Sequence, residues 1–274
     1  MGGMHVLALI GAAYVVLGKA SWQTIVFAVA WNVLCSIAIT GGYHRLFSHV
    51  SYSASWPVRL FYLVFGAASV QNTALRWSSL HRRHHTHCDT TADPYNAKRG
   101  FWWSHIGWIF YLSEDDYSNV PDLREDRLVQ WQARWYLPLV GIMTFAIPAA
   151  ICALWGDPVG GLLVAGCLRL VVQYHSTFAI NSFAHILGDK HYSADGTPRD
   201  SWITAMLTLG EGYHDFHHRF PADYRNGVRR GDFDPTKWWV WTLSRLGLAD
   251  DLRRISDDRI AEARATSASR RASQ

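Results

Sequence analysis

Nine of the fourteen histidines fall into four tight clusters, each at or just beyond one end of an apolar segment. They are His44 and His49 in HRLFSH, His81, His84 and His85 in HRRHH, His185 in NSFAH, and His214, His217 and His218 in HDFHH. Neutral imidazole is the commonest side-chain metal ligand. A single zinc takes four ligands, so nine donors brought to one place predict two ions held almost wholly by nitrogen. The i, i+3, i+4 spacing of the second and fourth clusters puts three rings on one face of a helix. Asn181 lies one turn before His185. A lone histidine is more often a satisfied polar residue than a ligand, and His5, His105, His175 and His191 are read that way. His87, two residues past HRRHH, is a candidate for support behind the ligands. For the nine, the bland reading needs four coincidences of spacing.

Imidazole suits iron, copper, nickel and zinc alike, so ligand type alone does not choose the metal. A dinuclear iron site fits a membrane enzyme that activates dioxygen, whereas zinc could fill the same cage in recombinant material and be inert. The carboxylate-bridged di-iron bundle is a separate design built on Glu and Glu-x-x-His, and that pattern does not occur here.

The elements that must position these residues are membrane helices. Apolar residues are bunched along the 274-residue chain, which holds 14 Trp, 12 Tyr and 12 Phe. Spanning ~30 Å of hydrocarbon takes roughly 20 residues. The expected fold is an all-α membrane protein, a single domain over 1–274. Four transmembrane helices (about 4–20, 22–41, 135–155 and 159–180) carry a cytosolic helical cap (42–133 and 181–265) that holds a histidine-rich di-metal site. The first segment lacks the basic start and A-x-A-like site of a signal peptide. The Ser-, Ala- and Arg-rich tail, 266–274, reads as disordered. Leu60 to Val70 and Phe101 to Leu112 are too short to span and read as interfacial helices. Pro235 to Leu246, with Trp238, Trp239 and Trp241, is a third such segment.

Basic residues set the orientation. The turn between the first two spans offers only Lys19, and the turn from Gly156 to Gly161 offers none. Both long polar regions, both termini and the active site are therefore expected on the cytosolic side. The formal charge of +4 reads as membrane-surface topology, with no basic groove for nucleic acid. Cys35, Cys88, Cys152 and Cys167 imply neither a disulfide framework nor a zinc ribbon.

From about Thr40 to Leu248 the chain resembles the membrane-bound fatty acyl desaturases of the stearoyl-CoA (delta-9) type. The resemblance rests on HRLFSH, HRRHH followed by TADPYN, RGFWWSHIGW, NSFAH, and GEGYHDFHHRFPADYRNG with FDPTKW. It implies that His44, His49, His81, His84, His85, His185, His214, His217 and His218 bind two iron ions, and that Asn181 acts through a water. It also implies dioxygen as co-substrate, a cis double bond introduced at delta-9 into a saturated acyl chain, and a tunnel for that chain. Gln71, Asn72, Trp77 and Thr177 resemble the tunnel lining, with Phe178 where many relatives have Trp. Distance along a bent tunnel would set which carbons react, and its apolar walls would exclude water.

One departure concerns the head group. Animal acyl-CoA desaturases carry an Arg-Asp and an Arg-Lys pair that contact CoA, where this chain has Ser79-Leu80 and Leu112-Ser113. The carrier of the acyl chain is therefore open between CoA, acyl carrier protein and phospholipid. Arg76, Arg82, Arg83, Lys98 and Arg99 offer positive charge nearby. With no dinucleotide fingerprint and no fused cytochrome or ferredoxin domain evident, an external electron donor of the ferredoxin, rubredoxin or cytochrome b5 type is implied. The nearest rival is a lipid hydroxylase or alkane monooxygenase on the same metal scaffold. A metal-binding transporter is a more distant one, because the spans hold few polar groups, chiefly Arg169, Gln173 and His175.

Overall fold

The computed structural model of the protein describes residues 1–111 and 116–273. Leu112 and Ser113, the second substituted pair, lie outside the described residues, as does Gln274. The first helices are α1 (Gly2–Val16), α2 (Trp22–Ser48), α3 (Trp56–Ala67), α4 (Ala74–His87) and α5 (Phe101–His105). Next come α6 (Pro121–Glu125), α7 (Arg127–Arg134), α8 (Tyr136–Ala153) and α9 (Pro158–His185). The last four are α10 (Trp202–Leu207), α11 (His214–Arg219), α12 (Pro235–Arg245) and α13 (Asp257–Ala272). Among the described residues, extended structure is limited to β1 (Ser53–Ala54) paired antiparallel with β2 (Ala249–Asp250), plus two isolated bridges.

Local chemistry starts these helices where they start. Ser21 and Thr73 accept hydrogen bonds from Thr24 N and Arg76 N at the heads of α2 and α4. Asp157-Pro158 and Asp234-Pro235 combine a capping carboxylate with a proline in the first turn, where its missing N–H costs nothing. Asp157 does more than cap. Its carboxylate also accepts from Tyr14 Oη (3.0 Å), Ser21 N (3.0 Å) and Thr24 Oγ1 (2.7 Å), pinning the α1–α2 turn to the start of α9.

Among the described residues, three helices are long and apolar enough to cross a bilayer: α2 with 27 residues, α8 with 18 and α9 with 28. The expected first span instead is α1, whose 15 residues reach about 22 Å at 1.5 Å per residue. It ends early because Gly18 adopts φ +68° and turns the chain. The second and fourth spans overrun their expected ends. α2 does not stop at the glycines near position 41 but runs through Ser48, and α9 runs through His185.

Those glycines are packing positions. A Cβ on Gly42 would sit 2.5 Å from Cβ and Cγ of Tyr62, and one on Gly66 would sit 2.3 Å from the Tyr43 ring. Each tyrosine fills the notch left by the other helix's glycine, so α2 and α3 close to backbone distance. Tyr62 is further held by Tyr52 Oη (2.9 Å) and Trp239 Nε1 (3.0 Å). α3 is accordingly buried along one face. Its Val58, Tyr62 and Leu63 belong to the central core, and Val64, Phe65 and Ala68 pack on Trp31 and Met143.

The tail is also ordered. Thr266 to Ala272 continue α13, whose Ile260 and Ala263 pack against Tyr192, Phe216 and Phe220. Arg264 and Arg271 reach Tyr192 Oη and Lys190 O. A compositional reading of Ser, Ala and Arg misses this because three small or apolar positions (Ile260, Ala263, Ser267) on one face suffice to dock a helix.

Gly42→Ala should lower the thermal midpoint in detergent, since overpacking costs about 1–3 kcal/mol. Gly141→Ala, with nothing within 4 Å of the added carbon, should be neutral or slightly stabilising. Differential scanning fluorimetry on the two variants checks this, and equal midpoints would contradict the interlock.

Candidate metal centre

The nine clustered histidines meet. Their ligand nitrogens form two groups, one of His44, His49, His81, His85 and His217, and one of His84, His185, His214 and His218. The i, i+4 partners stay together, His81 with His85 and His214 with His218. The remaining residue of each triplet, His84 or His217, crosses to the other group. One helix face thus serves two sites, a division that spacing alone does not specify.

His44 and His49 join one group because of how α2 ends. At 3.6 residues per turn, positions five apart point about 140° away from each other. From Ala38 to Ser48 the chain is wound with wider π-helical turns, and His49 N donates to His44 O, five residues back, at 3.1 Å. That winding brings i and i+5 to one side, and such turns recur at functional sites.

Within the groups, Nε2 atoms face one another: His44 and His217 at 2.9 Å, His49 and His81 at 2.8 Å, His217 and His85 at 2.9 Å. In the second group the distances are 3.2 Å for His84 and His218, and 3.1 Å for His185 and His214 and for His218 and His214. Two nitrogens bound about 2.0–2.1 Å from one ion at adjacent coordination positions lie about 2.9–3.3 Å apart. The spacing therefore suits a shared cation.

The partners behind the rings say the same. His84 Nδ1 faces Asp93 Oδ1 at 2.8 Å. His44 Nδ1 lies 2.7 Å from Glu211 Oε2. His185 Nδ1 lies 2.7 Å from Thr197 Oγ1, whose own proton goes to Asp89 Oδ1 at 2.6 Å. In each case the acceptor fixes the proton on Nδ1, and the Nε2 lone pair is left bare. These lone pairs point into the two donor groups, where a cation can accept them. Residues that orient a ligand through its second nitrogen also raise its basicity.

Burial opposes the charge on Glu211, yet His44 and the Arg45 guanidinium outweigh it and hold the carboxyl below its usual range. Burial likewise opposes the charge on Asp93, but His84 and the Tyr95 and Asp89 amides draw it below its usual range. Burial first, then the neighbouring imidazoles, holds His49, His81, His85, His214, His217 and His218 well below the ordinary histidine value. Neutral imidazoles inside a ring of carboxylates form a donor set that fits two divalent ions, whose positive charge the carboxylates offset.

A cavity opens on this centre. Gln71, Asn72, Trp77, Thr177, Phe178 and Asn181 all line it, together with His44, His81, His84 and His214. Gln71 Nε2 donates to Thr177 Oγ1 (2.8 Å), and Trp77 Nε1 donates to Gln71 Oε1 (3.3 Å), tying α4 to α9 across one wall.

The histidines read as bland stay apart from the two groups. His5 meets His175 at 3.2 Å, His175 meets His105 at 3.0 Å, and His105 ends on Ser182 Oγ at 2.9 Å. His87 is exposed and supports neither group. Of the substituted pair within the described residues, Ser79 bonds Asn119 Oδ1 at 2.9 Å and Leu80 lines the cavity. The sequence reading missed Glu211, Asp93, Arg45, Asp234, Asp89 and Thr197. The first two stand inside the GEGYH and TADPY motifs, where only the histidines were weighed. Arg45, between the HRLFSH histidines, is fully buried and bridges Glu211, Asp234 and Tyr224 O. Asp89 and Thr197 carry no signal, being 108 positions apart.

The chain matches the fatty acid desaturase family over residues 20–243. It belongs to that family. It is 43% identical over 263 residues to acyl-CoA desaturase 1 of Saccharomyces cerevisiae, covering 94% of this chain and 52% of the yeast protein. It is 36% identical over 257 residues to human stearoyl-CoA desaturase 5, covering 90% and 78%. It is 33% identical over 266 residues to an acyl-CoA Delta(11) desaturase of Trichoplusia ni, covering 94% and 76%. The chain spans about half the length of the two fungal relatives, at 52% and 50%.

Two predictions follow from the ligand geometry. Thr197→Val should leave His185 without its acceptor and reduce bound metal toward half, while Thr197→Ser should keep it, as metal analysis by mass spectrometry reads directly. The second concerns pH. The unfolded chain binds protons on His49, His81, His85, His214, His217 and His218 at about pH 6.5, whereas the folded metal-free protein takes them up only at lower pH. Between those values the unfolded state holds more protons, so stability falls as pH falls below about 6.5. Melting of the chelator-treated protein at pH 7.5, 6.5 and 5.5 should show midpoints decreasing in that order.

Proposed function

We propose that the protein is an oxygen-dependent fatty acyl desaturase that places a cis double bond at delta-9 of a saturated long-chain acyl group. The observation that carries this reading is the convergence of two all-imidazole donor groups on the cavity that Gln71, Trp77 and Thr177 line. Membership of the desaturase family and relatives named acyl-CoA desaturases support it. We assign the two sites to iron. Bound there, iron supplies dioxygen activation and the removal of two hydrogens from unactivated methylenes. The reaction balances as one dioxygen, two electrons, two protons and –CH2–CH2– giving –CH=CH– and two waters.

The chain's own residues bind, orient and exclude. The nine histidines are the ligands, with Asn181 at the cavity edge acting through a water. Glu211, Asp93 and the Asp89–Thr197 pair hold the rings in the tautomer that offers Nε2. The Gln71–Thr177–Trp77 hydrogen bonds fix one wall, so that one pair of carbons rests beside the centre. Apolar neighbours such as Tyr174, Phe178 and Ile109 keep water from the reacting carbons.

In the membrane we place α1 with α2, α8 and α9 as four crossings, with the histidine cap and both termini on the cytosolic side, where Lys19 is the lone basic residue left on the far turns. The substrate we assign is an acyl-CoA, the carrier in the relatives' names, and the electrons come from a separate protein of ferredoxin, rubredoxin or cytochrome b5 type.

The test is expression in a desaturase-deficient cell, with lipid analysis by double-bond position, and a purified assay offering one acyl chain on CoA, on carrier protein and in phospholipid. Oleoyl products that need oxygen and reductant are expected, with CoA the preferred carrier. A hydroxylated chain would replace desaturation by monooxygenation. His84→Ala and His217→Ala should each remove activity by at least a hundredfold and lower bound iron, while the protein remains membrane-inserted.

A further inference from the structure

α3 is a helix that ends inside the protein. It starts after His49 and its chain returns to His81, and these two share one donor group. The segment between them therefore leaves and re-enters on one side. With 12 residues α3 is too short to cross. Its last carbonyls meet no further helical turn, and in a region without water each must find a donor.

Arg169 supplies it. The residue is 3% exposed, and among the described residues no carboxylate pairs with it. It stands eleven residues into α9, about 16 Å from the start of that helix. Nη1 donates to Ala68 O (3.0 Å) and to Gln173 Oε1 (2.9 Å), and Nε donates to Ala165 O (3.1 Å). Nη2 is buried without a partner. Thr144 Oγ1 also reaches Ala68 O (3.3 Å), and Gln173 Nε2 passes the contact on to Ser69 Oγ (2.9 Å). A cation at a helix C-terminus is the favourable sign for the helix dipole. That is the interaction a helix ending at this depth needs.

The turn that follows does not hold itself. Val70 and Asn72 have φ of +50° and +76°, and a β-branched residue there is an outlier that its surroundings must enforce. Tyr174 Oη, also on α9, donates to Val70 O (3.3 Å). This turn presents Val70, Gln71 and Asn72 to the cavity.

We infer that Arg169 is a positioning residue that ends α3 within the membrane and, through the Ala68–Thr73 turn, sets the wall against which the acyl chain lies. The assignment rests on the desaturase reading for the identity of the chain in the cavity. Arg169→Met removes the charge and the donors, and Arg169→Lys keeps the charge. Full-length proteins in nanodiscs are compared for iron content, for binding of radiolabelled stearoyl-CoA, and for double-bond position in the product.

Arg169→Met should keep wild-type iron, bind stearoyl-CoA at least tenfold more weakly, raise KM more than it lowers kcat, and spread the double-bond position. Arg169→Lys should stay within threefold of wild type. A Met variant that fails to assemble beside a Lys variant that assembles and binds normally supports the same assignment. Wild-type binding and products in Arg169→Met would overturn it, as would equal losses of yield, iron and binding in both variants. Wild-type protein that binds stearoyl-CoA but forms no double bond with iron, reductant and oxygen would sink the desaturase reading alone, leaving the binding comparison to decide Arg169.

Discussion

Nine imidazoles turned toward two shared volumes govern this structure. With Nδ1 of His44, His84 and His185 set against Glu211, Asp93 and Thr197, their Nε2 lone pairs turn toward His217, His218 and His214, a geometry that suits a shared cation. The surroundings fit that geometry. The carboxylates behind the rings balance positive charge at the centre, burial disfavours protonation of His49, His81, His85, His214, His217 and His218, and Arg45 bridges Glu211 and Asp234 and holds the Glu211 carboxyl below its usual range.

Precision at the centre is delivered by long helices rather than loops. α2 and α9 run beyond what a membrane requires, and their surplus turns carry His44 and His185 out to α4 and α11. The π-wound end of α2 converts a five-residue spacing into a shared side. The Tyr43–Gly66 and Tyr62–Gly42 interlock sets the depth of α2 against α3, so packing in the apolar layer reaches the clustered histidines through rigid helix. α13 backs α11 from the other side through Phe216, and Asp215 of α11 accepts from the amides of His191 and Tyr192.

The same helices build the cavity wall. Gln71 and Thr177 meet because α3 stops short and the chain turns back under α9. Histidine centre and cavity are therefore one construction: the residues that return the chain from α3 to α4 bring the HRRHH histidines into place and line the cavity beside them.

What the sequence determined by itself was local and periodic. Four histidine clusters at ligand spacing, apolar runs long enough for membrane helices, and Asp-Pro helix starts are properties of neighbouring residues. They made the all-helical class and the nine donors legible. The tertiary structure decided what depends on distant parts of the chain. That includes which histidines share a site, since α4 and α11 each divide their triplet according to what faces them. It includes the partners Asp89 and Thr197, joined across 108 positions, and the order of α13, whose composition reads as coil until Tyr192, Phe216 and Phe220 give its narrow apolar face a place to dock. Spacing states which side chains can point together; only packing states what they meet there.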